Sequence, residues 1–209
     1  MESFQTSEEK NNFNQISTDF EKRNLTLNQY ENLFGFSVED LKDKSVLDIG
    51  AGSGDFVREL RESYGNTKSF AVDLDQDKIP QDRPEWYLIS DGLNLPFADN
   101  TFDVVIAKHY LMLFYMNDNQ DALVELLRVL SRGGTLYFDA QDFVQFDKNI
   151  KKIETMNGGQ MDENWKMRNA LKSVGAIKYE MFLDNLSGDE YIVSKEDKGR
   201  SNVWKITKK

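Results

Sequence analysis

Val46-Leu47-Asp48-Ile49-Gly50-Ala51-Gly52-Ser53-Gly54-Asp55-Phe56 is the stretch that decides the fold. Val46, Leu47 and Ile49 are strand formers. Glycines at 50, 52 and 54 let the backbone take positive φ and lie directly against a ligand. From Phe56 to Leu60 the apolar spacing becomes helical. Strand, glycine turn and helix in that order make a nucleotide-binding loop of the α/β type.

The loop also bears on which nucleotide is bound. Its glycines follow G-x-G-x-G, whereas a dinucleotide loop reads G-x-G-x-x-G and needs glycine where this chain has Asp55. A pyrophosphate at the helix N-terminus would face Asp55 and Asp48, and two carboxylates oppose the helix dipole that would attract it. A cationic cofactor carrying an α-ammonium and a sulfonium, S-adenosylmethionine, suits the same acids. The plainer alternative is that Asp55 is a first-turn helix acid and the glycines a tight βα turn.

The segments that follow narrow the choice. Lys68-Ser69-Phe70-Ala71-Val72-Asp73 reads as a second strand ending in an acid, about 20 residues past the glycines, where such folds place the carboxylate that grips ribose hydroxyls. Asp73 and the adjoining Leu74 are therefore cofactor-binding candidates, whereas Asp75 and Asp77 read as solvated turn residues. Trp86 to Ala107 reads as strand, acidic loop, turn and strand, with Val104, Val105 and Ile106 a fully buried run.

With these residues in place the chain resembles the class I S-adenosylmethionine-dependent methyltransferases, nearest the branch of the ubiquinone and menaquinone biosynthesis enzymes. The resemblance rests on Val46 to Phe56, Val72-Asp73, Asp91 to Phe97 with Phe102-Asp103, and Leu126 to Phe138, covering roughly residues 44 to 139. It implies that Asp73 binds the ribose diol and that Asp91, with the backbone of Gly92 and Leu93, binds the adenine amino group. It further implies that Asp48, Gly50, Ala51, Gly52 and Gly54 surround the amino-acid part of the cofactor, with Lys108 and His109 lining its methionine end. Ser131-Arg132-Gly133-Gly134 departs from the lysine-proline pair that usually precedes the two glycines.

Composition sets further bounds. With 209 residues the chain is long enough for one α/β domain with a real core. The resemblance implies a doubly wound, Rossmann-like, seven-stranded, mostly parallel sheet with an antiparallel C-terminal strand pair. No cysteine is present, which excludes disulfides, thiol catalysis and zinc-thiolate sites. One histidine and scattered acids offer no metal-ligand spacing, so no metal is expected. A net charge of −10 opposes a broad phosphate-contacting surface, so the expected partner is a small-molecule acceptor and not a nucleic acid. No run of apolar residues is long enough to span a membrane and no apolar leader is visible, so a cytoplasmic location is expected.

The chain divides by pattern into an N-terminal helical cap (1–43), a cofactor-binding domain (44–195) and a C-terminal tail (196–209) that is either mobile or docked through Val203, Trp204 and Ile206. Within the cap, Phe13 to Phe36 carries apolar residues at near-helical spacing, enough for two short helices that either cover the sheet or fold over the cofactor. Ser37 with Asp40 reads as a capping pair. A short helix fits between Asp73 and Trp86. Asp118 to Leu130 reads as a helix capped at Gly133, and Thr135 to Phe138 as a buried strand. Beyond an irregular 141–160, Met161 to Val174 reads as a helix, and Ile177 to Leu183 with Glu190 to Ser194 as the antiparallel pair. The acceptor pocket is expected from 13–36 and 141–165.

The implied chemistry is in-line displacement of a methyl group from sulfonium to an acceptor, most of the protein's task being alignment in a desolvated pocket. His109, the chain's single histidine, falls just past the fourth strand and is either a general base or a pocket-lining residue. Tyr110, Tyr115 and Phe143 shape the acceptor site, contact the sulfonium through their faces, or pack in the core. Two other functional classes stay open: a cofactor-binding regulatory or scaffolding protein without transfer activity, and an NAD-dependent oxidoreductase, the latter opposed by Asp55.

Overall fold

β1 (Val46–Ile49) is buried at every position, and the rest of the molecule is built around it. In the computed structural model, which describes residues 27–78, 80, 82–110, 119–140, 182–198 and 202–209, β1 pairs in parallel with β2 (Ser69–Asp73) and β4 (Phe102–Ala107). β3 (Tyr87–Ile89) extends the sheet beyond β2, and β5 (Leu130–Ala140) beyond β4, both in parallel. β7 (Asn202–Lys208) then runs antiparallel to β5, and β6 (Tyr191–Asp197) antiparallel to β7 at the edge. The order is β3-β2-β1-β4-β5-β7-β6, the seven-stranded, mostly parallel α/β sheet expected from the sequence.

Strand alternation gives the sheet two apolar faces. Val46, Val104 and Ile106 pack with α1 (Leu27–Phe34) and with Phe56, Val57 and Leu60 of α2 (Asp55–Tyr64). Leu47, Ile49 and Val105 point the other way, onto Leu123, Leu126 and Leu127 of α3 (Asn119–Val129). Helices of eight to eleven residues are marginal by themselves in water. Each buried leucine or phenylalanine adds about 1.5–3 kcal/mol by transfer from water, so packing on the sheet holds them. Asp48 lies in phase with Val46 and so faces α1, on the buried side. Chain order reverses between β1 and β4, the place where open α/β sheets form a crevice at the carboxyl ends of their strands.

Four local expectations are corrected. Ser37 makes no side-chain cap to the 3-10 turn Val38–Leu41; the Val38 N–H instead donates to Glu31 Oε1 at 2.6 Å, reaching back from α1. Gly133 does not cap α3, because that helix stops at Val129; it sits within β5 at φ 78°, where the pairing with β4 shifts register. The antiparallel pair is Tyr191–Asp197 with Asn202–Lys208, while residues 182–186, including Leu183, are helical. Residues 177–181 lie outside the described residues.

The supposed tail is the fourth correction, since it supplies β7, an inner strand. Val203 packs on one face of the sheet, and Trp204 and Ile206 on the other. Lys208 ends the strand at 9% exposure, and its ammonium donates to Asn100 Oδ1 (2.9 Å) and to the carbonyls of Leu127 and Leu130 (both 3.0 Å). It thereby satisfies carbonyls at the C-terminal end of α3 and complements the helix dipole. Charged residues along Tyr191–Asp197 mark an exposed edge strand, the usual protection against edge-to-edge pairing. The expected division at 195/196 cuts through this strand.

Other expectations agree with the structure. The short helix after Asp73 is a single 3-10 turn, Gln76–Lys78. Asp118 to Leu130 corresponds to α3, and Thr135 to Phe138 to the central part of β5. Of the cap, α1 and the residues leading to β1 are described. The first helix expected within 13–26, the 141–160 stretch, the Met161–Val174 helix, Tyr115 and Phe143 all lie outside the described residues.

Candidate functional site

The glycine loop folds as its sequence requires. Gly50, Gly52 and Gly54 have φ of 71°, 57° and 74°. At Gly54 a side chain is excluded twice, by that φ and because an added Cβ would stand 2.9 Å from the Tyr87 ring. The N–H groups of Gly50 and Ala51 both donate to Val72 O, at 2.8 and 3.1 Å, anchoring the loop to the end of β2. α2 then begins at Asp55, whose carboxylate is taken up by Ser53 Oγ at 2.5 Å and by an ion pair with Arg58. Asp55 is thus the first-turn helix acid of the plainer reading.

Asp73 joins two loops. Its Oδ2 accepts the Gly52 N–H at 2.7 Å, and its Oδ1 accepts the Asp75 N–H at 2.9 Å. Neighbouring Leu74 is 62% exposed, an apolar surface standing beside a carboxylate at the strand end. Asp75 and Asp77 behave as turn residues, Asp75 accepting the Asp77 N–H and pairing with Lys78. The Tyr87 hydroxyl donates to Gly52 O, a restraint on the loop that sequence reading missed. Burial, with the charge of Asp73 added, holds that phenol protonated far above its ordinary range.

The loop after β3 is held from below. Asp91 is exposed, and its Oδ1 accepts the Leu93 N–H at 3.0 Å, an Asx turn. Arg128, in the last turn of α3, donates to Phe97 O, Asp99 Oδ1 and Leu95 O, at 2.9, 2.8 and 3.2 Å. Glu125 pairs with Arg128 in a bidentate fork and also accepts the Leu95 N–H at 2.7 Å. These bonds hold Glu125 below the usual carboxylate range. The i, i+3 acid–base spacing was visible in sequence, but nothing there revealed the loop it grips.

Asp48 is a buried carboxyl of the site, 1% exposed. Tyr30 of α1 donates to its Oδ2 at 3.2 Å, and the Tyr30 ring stacks on Phe56 with centroids 4.1 Å apart. Lys108 Nζ stands 5.6 Å from the centre of that ring. Burial pushes the Asp48 carboxyl up to about 7, against the opposing Tyr30 hydrogen bond and Lys108 charge. Oδ1 of Asp48 is buried with no hydrogen-bond partner among the described residues. An acceptor so placed fits a cationic donor such as the α-ammonium of S-adenosylmethionine.

Beyond β4 the chain turns sharply through Lys108, His109 and Tyr110. His109 adopts φ 57°, rare for a residue with a Cβ. Asp139, at the end of β5 and fully buried, accepts its backbone N–H at 2.6 Å and has Oδ2 2.6 Å from Nδ1. Tyr110 is buried, as the core-packing alternative expected. Its ring lies against Gly50, and its hydroxyl takes the space that a Cβ on Gly92 would fill, 1.6 Å away. Tyr110 therefore spans the gap between the loops after β1 and β3. The structure thus brings Asp48, Gly50, Ala51, Gly52, Gly54, Asp73, Leu74, Asp91, Gly92, Leu93, Lys108 and His109 to the carboxyl edge of the sheet. Among the described residues no group of three or more histidines and acids could hold a metal ion.

A Rossmann-like sheet with this strand order and glycine loop, and acids at the carboxyl ends of its strands, has the form of an open α/β nucleotide-binding domain with its site at the switch point. Residues 47–138 match the sequence profile of the family described as "Methyltransferase domain". Through that segment the chain is similar to methyltransferases. It is 40% identical over 93 residues to a demethylmenaquinone methyltransferase of Corynebacterium urealyticum, covering 44% of this chain and 39% of that protein. It is 36% identical over 140 residues to a mitochondrial arginine-hydroxylase, NDUFAF5, of Rattus norvegicus, covering 63% of this chain and 40% of that one. The chain thus spans about two fifths of the length of these curated relatives. In fold it is similar to the plantazolicin methyltransferase BpumL, solved with SAH, at TM-score 0.62 and 11% identity over 99% of this chain and 92% of that one. No helix among the described residues is long and apolar enough to cross a membrane.

Proposed function

We propose that this protein is an S-adenosylmethionine-dependent methyltransferase acting on a small-molecule acceptor. The observation that carries the proposal is the junction at Asp73, where a strand-end carboxylate is bonded to Gly52 of the glycine loop at 2.7 Å. Loop and acid form one rigid cradle at the switch point of the sheet. Asp73 would hold the ribose hydroxyls, Asp91 with the Gly92 and Leu93 backbone the adenine, and Leu74 would pack on its face. Asp48, Gly50, Ala51, Gly52 and Gly54 would surround the amino-acid end, with Lys108 and His109 beside the methionine. When bound, the cofactor supplies an electrophilic methyl group on sulfonium, the carbon–sulfur bonding pair remaining with sulfur as the acceptor attacks. The protein's own residues fix that geometry and exclude water, effects worth up to roughly 7–11 kcal/mol in well-ordered systems.

Calorimetric titration with S-adenosylmethionine, S-adenosylhomocysteine and NAD tests the reading. Binding of both sulfur nucleotides, weakened by two orders of magnitude or more in Asp73→Ala and less in Asp73→Asn, is the expected result. Binding of NAD alone, or of nothing, would refute it. A quinone-type ring is the first acceptor to screen, because the relative from Corynebacterium is named for demethylmenaquinone. The relative named as an arginine-hydroxylase favours a second reading, modification of an arginine side chain. Mass spectrometry of the product separates an added methyl group from an added oxygen.

A further inference from the structure

Residues 90–101, all of them described, carry the chain from β3 to β4 through turns with no helix. Backbone groups that a helix would pair internally must therefore find partners elsewhere, and the end of α3 provides them. Leu95 is held by both of its groups, the N–H donating to Glu125 Oε1 at 2.7 Å and the carbonyl accepting from Arg128 Nη2 at 3.2 Å. Arg128 Nη1 donates to Phe97 O at 2.9 Å, and the Arg128 and Val129 carbonyls accept the N–H groups of Asn100 and Thr101 at 2.9 and 2.8 Å. Arg128 Nε and Nη2 donate to the two carboxylate oxygens of Glu125, each at 2.7 Å, so the planar guanidinium is fixed in one orientation. With side chains 30% (Arg128) and 13% (Glu125) exposed, this fork is better shielded from water than the pair Arg128 makes with Asp99, whose side chain is 69% exposed.

The fork lies towards the far edge of the sheet from the cofactor cradle. α3 leads into β5 at Leu130, which pairs with Phe102, the first residue of β4, whereas Asp48, Asp73 and Asp91 stand at or near the carboxyl ends of β1, β2 and β3. Glu125 and Arg128 therefore act on a bound nucleotide through the chain between. At its other end that chain has little support. β3 is an edge strand of three residues, and the turn at Asp91 is closed by local bonds, from the Leu93 N–H to Asp91 Oδ1 at 3.0 Å and from the Asn94 N–H to Asp91 O at 3.1 Å. Leu95, the next residue, is bonded to α3 and shares a core cluster with Leu123, Leu126 and Leu127. We propose that Glu125 and Arg128 are positioning residues that set base selectivity: by fixing Leu95 they hold Asp91 and the Gly92 and Leu93 backbone in place to recognise the 6-amino group of adenine. The proposal rests on the S-adenosylmethionine reading and deepens it. With the fork intact the amino group meets an acceptor set in advance, and a carbonyl in its place meets the Asp91 carboxylate. Without the fork the Asp91 turn samples other positions, and the site keeps its hold on ribose and amino acid while losing its preference among bases.

Calorimetry of the full chain with S-adenosylhomocysteine and with S-inosylhomocysteine, in which a carbonyl replaces the 6-amino group, reads this selectivity. The wild type is expected to prefer the adenine form by about 10- to 100-fold, as for a hydrogen bond to a charged group left unmade. Arg128→Leu should bring that preference to within about threefold, chiefly by weakening S-adenosylhomocysteine. Arg128→Lys, which keeps the charge without the planar fork, should fall between the two. Should Arg128→Leu not fold, Glu125→Gln decides: it keeps an acceptor for the Leu95 N–H but breaks the charged fork, and should lower the preference at least about threefold. Equal weakening of both nucleosides, as a merely structural loss would give, or an unchanged preference, overturns the proposal and leaves the methyltransferase reading standing. A wild type that binds both nucleosides alike overturns the assignment of adenine to the Asp91 turn and the proposal with it. A wild type that binds neither refutes the methyltransferase reading itself.

Discussion

Replacing Tyr30 by phenylalanine removes one hydroxyl from the cap helix and should change how the protein binds its cofactor with pH. The Tyr30 hydroxyl donates to Asp48 at 3.2 Å, and Asp48 titrates near about 7 because burial raises it more than Tyr30 and Lys108 lower it, with Asp73 pushing the same way as burial. A hydrogen bond to a charged group is worth about 1.5–3 kcal/mol. At about 1.4 kcal/mol per pH unit, its loss raises the Asp48 carboxyl by roughly one to two units. At pH 7 the ionised fraction then falls from about a half to between about a tenth and a hundredth. If the α-ammonium of the cofactor needs an ionised Asp48, affinity for S-adenosylhomocysteine falls about 5- to 50-fold at pH 7 and recovers towards the wild-type value near pH 9. Calorimetry across pH, with Asp48→Asn as the background, measures this. Equal affinity and an unchanged pH profile in a folded Tyr30→Phe protein would refute the reasoning.

Stability supplies an independent check with a defined sign. The native state holds the Asp48 proton up to about 7, whereas an unfolded chain releases it near 3.8. Between those values the native state binds more protons, so stability of the ligand-free protein falls as pH rises through the window and is flat above it. The full effect is on the order of 4 kcal/mol at about 1.4 kcal/mol per unit. Asp48→Asn, which carries no charge, should therefore unfold at a higher temperature than the wild type at pH 8 and not at pH 4.

Two further substitutions test the architecture of the site. Gly92→Ala must displace the buried Tyr110 hydroxyl, and should destabilise the fold by about 1–3 kcal/mol as overpacking does; combining it with Tyr110→Ala should be less damaging than the sum of the two changes, since the residues share one space. Lys208→Met keeps most of the apolar stem but leaves the carbonyls of Leu127 and Leu130 without their charged donor; a loss of about 2–3 kcal/mol should lower Tm by roughly 4–12 °C. Additive behaviour in the first case, or an unchanged Tm in the second, would contradict the packing described.

The cofactor cradle was legible because its physics is local. Positive φ at three alternating positions demands glycine, a strand that is buried on both faces reads as a continuous apolar run, and an acid at the end of the next strand is fixed by the length of one βα unit. Those constraints act within about thirty residues, so Gly50, Gly52, Gly54 and Asp73 could be named from order alone. The C-terminal strands were misread for the opposite reason. Val203, Trp204 and Ile206 alternate among charges, and an inner antiparallel strand between β5 and β6 looks in sequence like a solvated tail until both neighbours are known.

The chain's sequence by itself determined the α/β class, the nucleotide loop and the acids that end the first two strands, because each follows from backbone conformation and short-range periodicity. Tertiary structure alone decided that Tyr30 meets Asp48, that Asp139 grips His109, that Arg128 supports the loop carrying Asp91, and that Tyr110 spans Gly50 and Gly92. Each of those pairs is brought together by strand register and helix packing across 18 or more residues, and no local preference of either partner encodes the other.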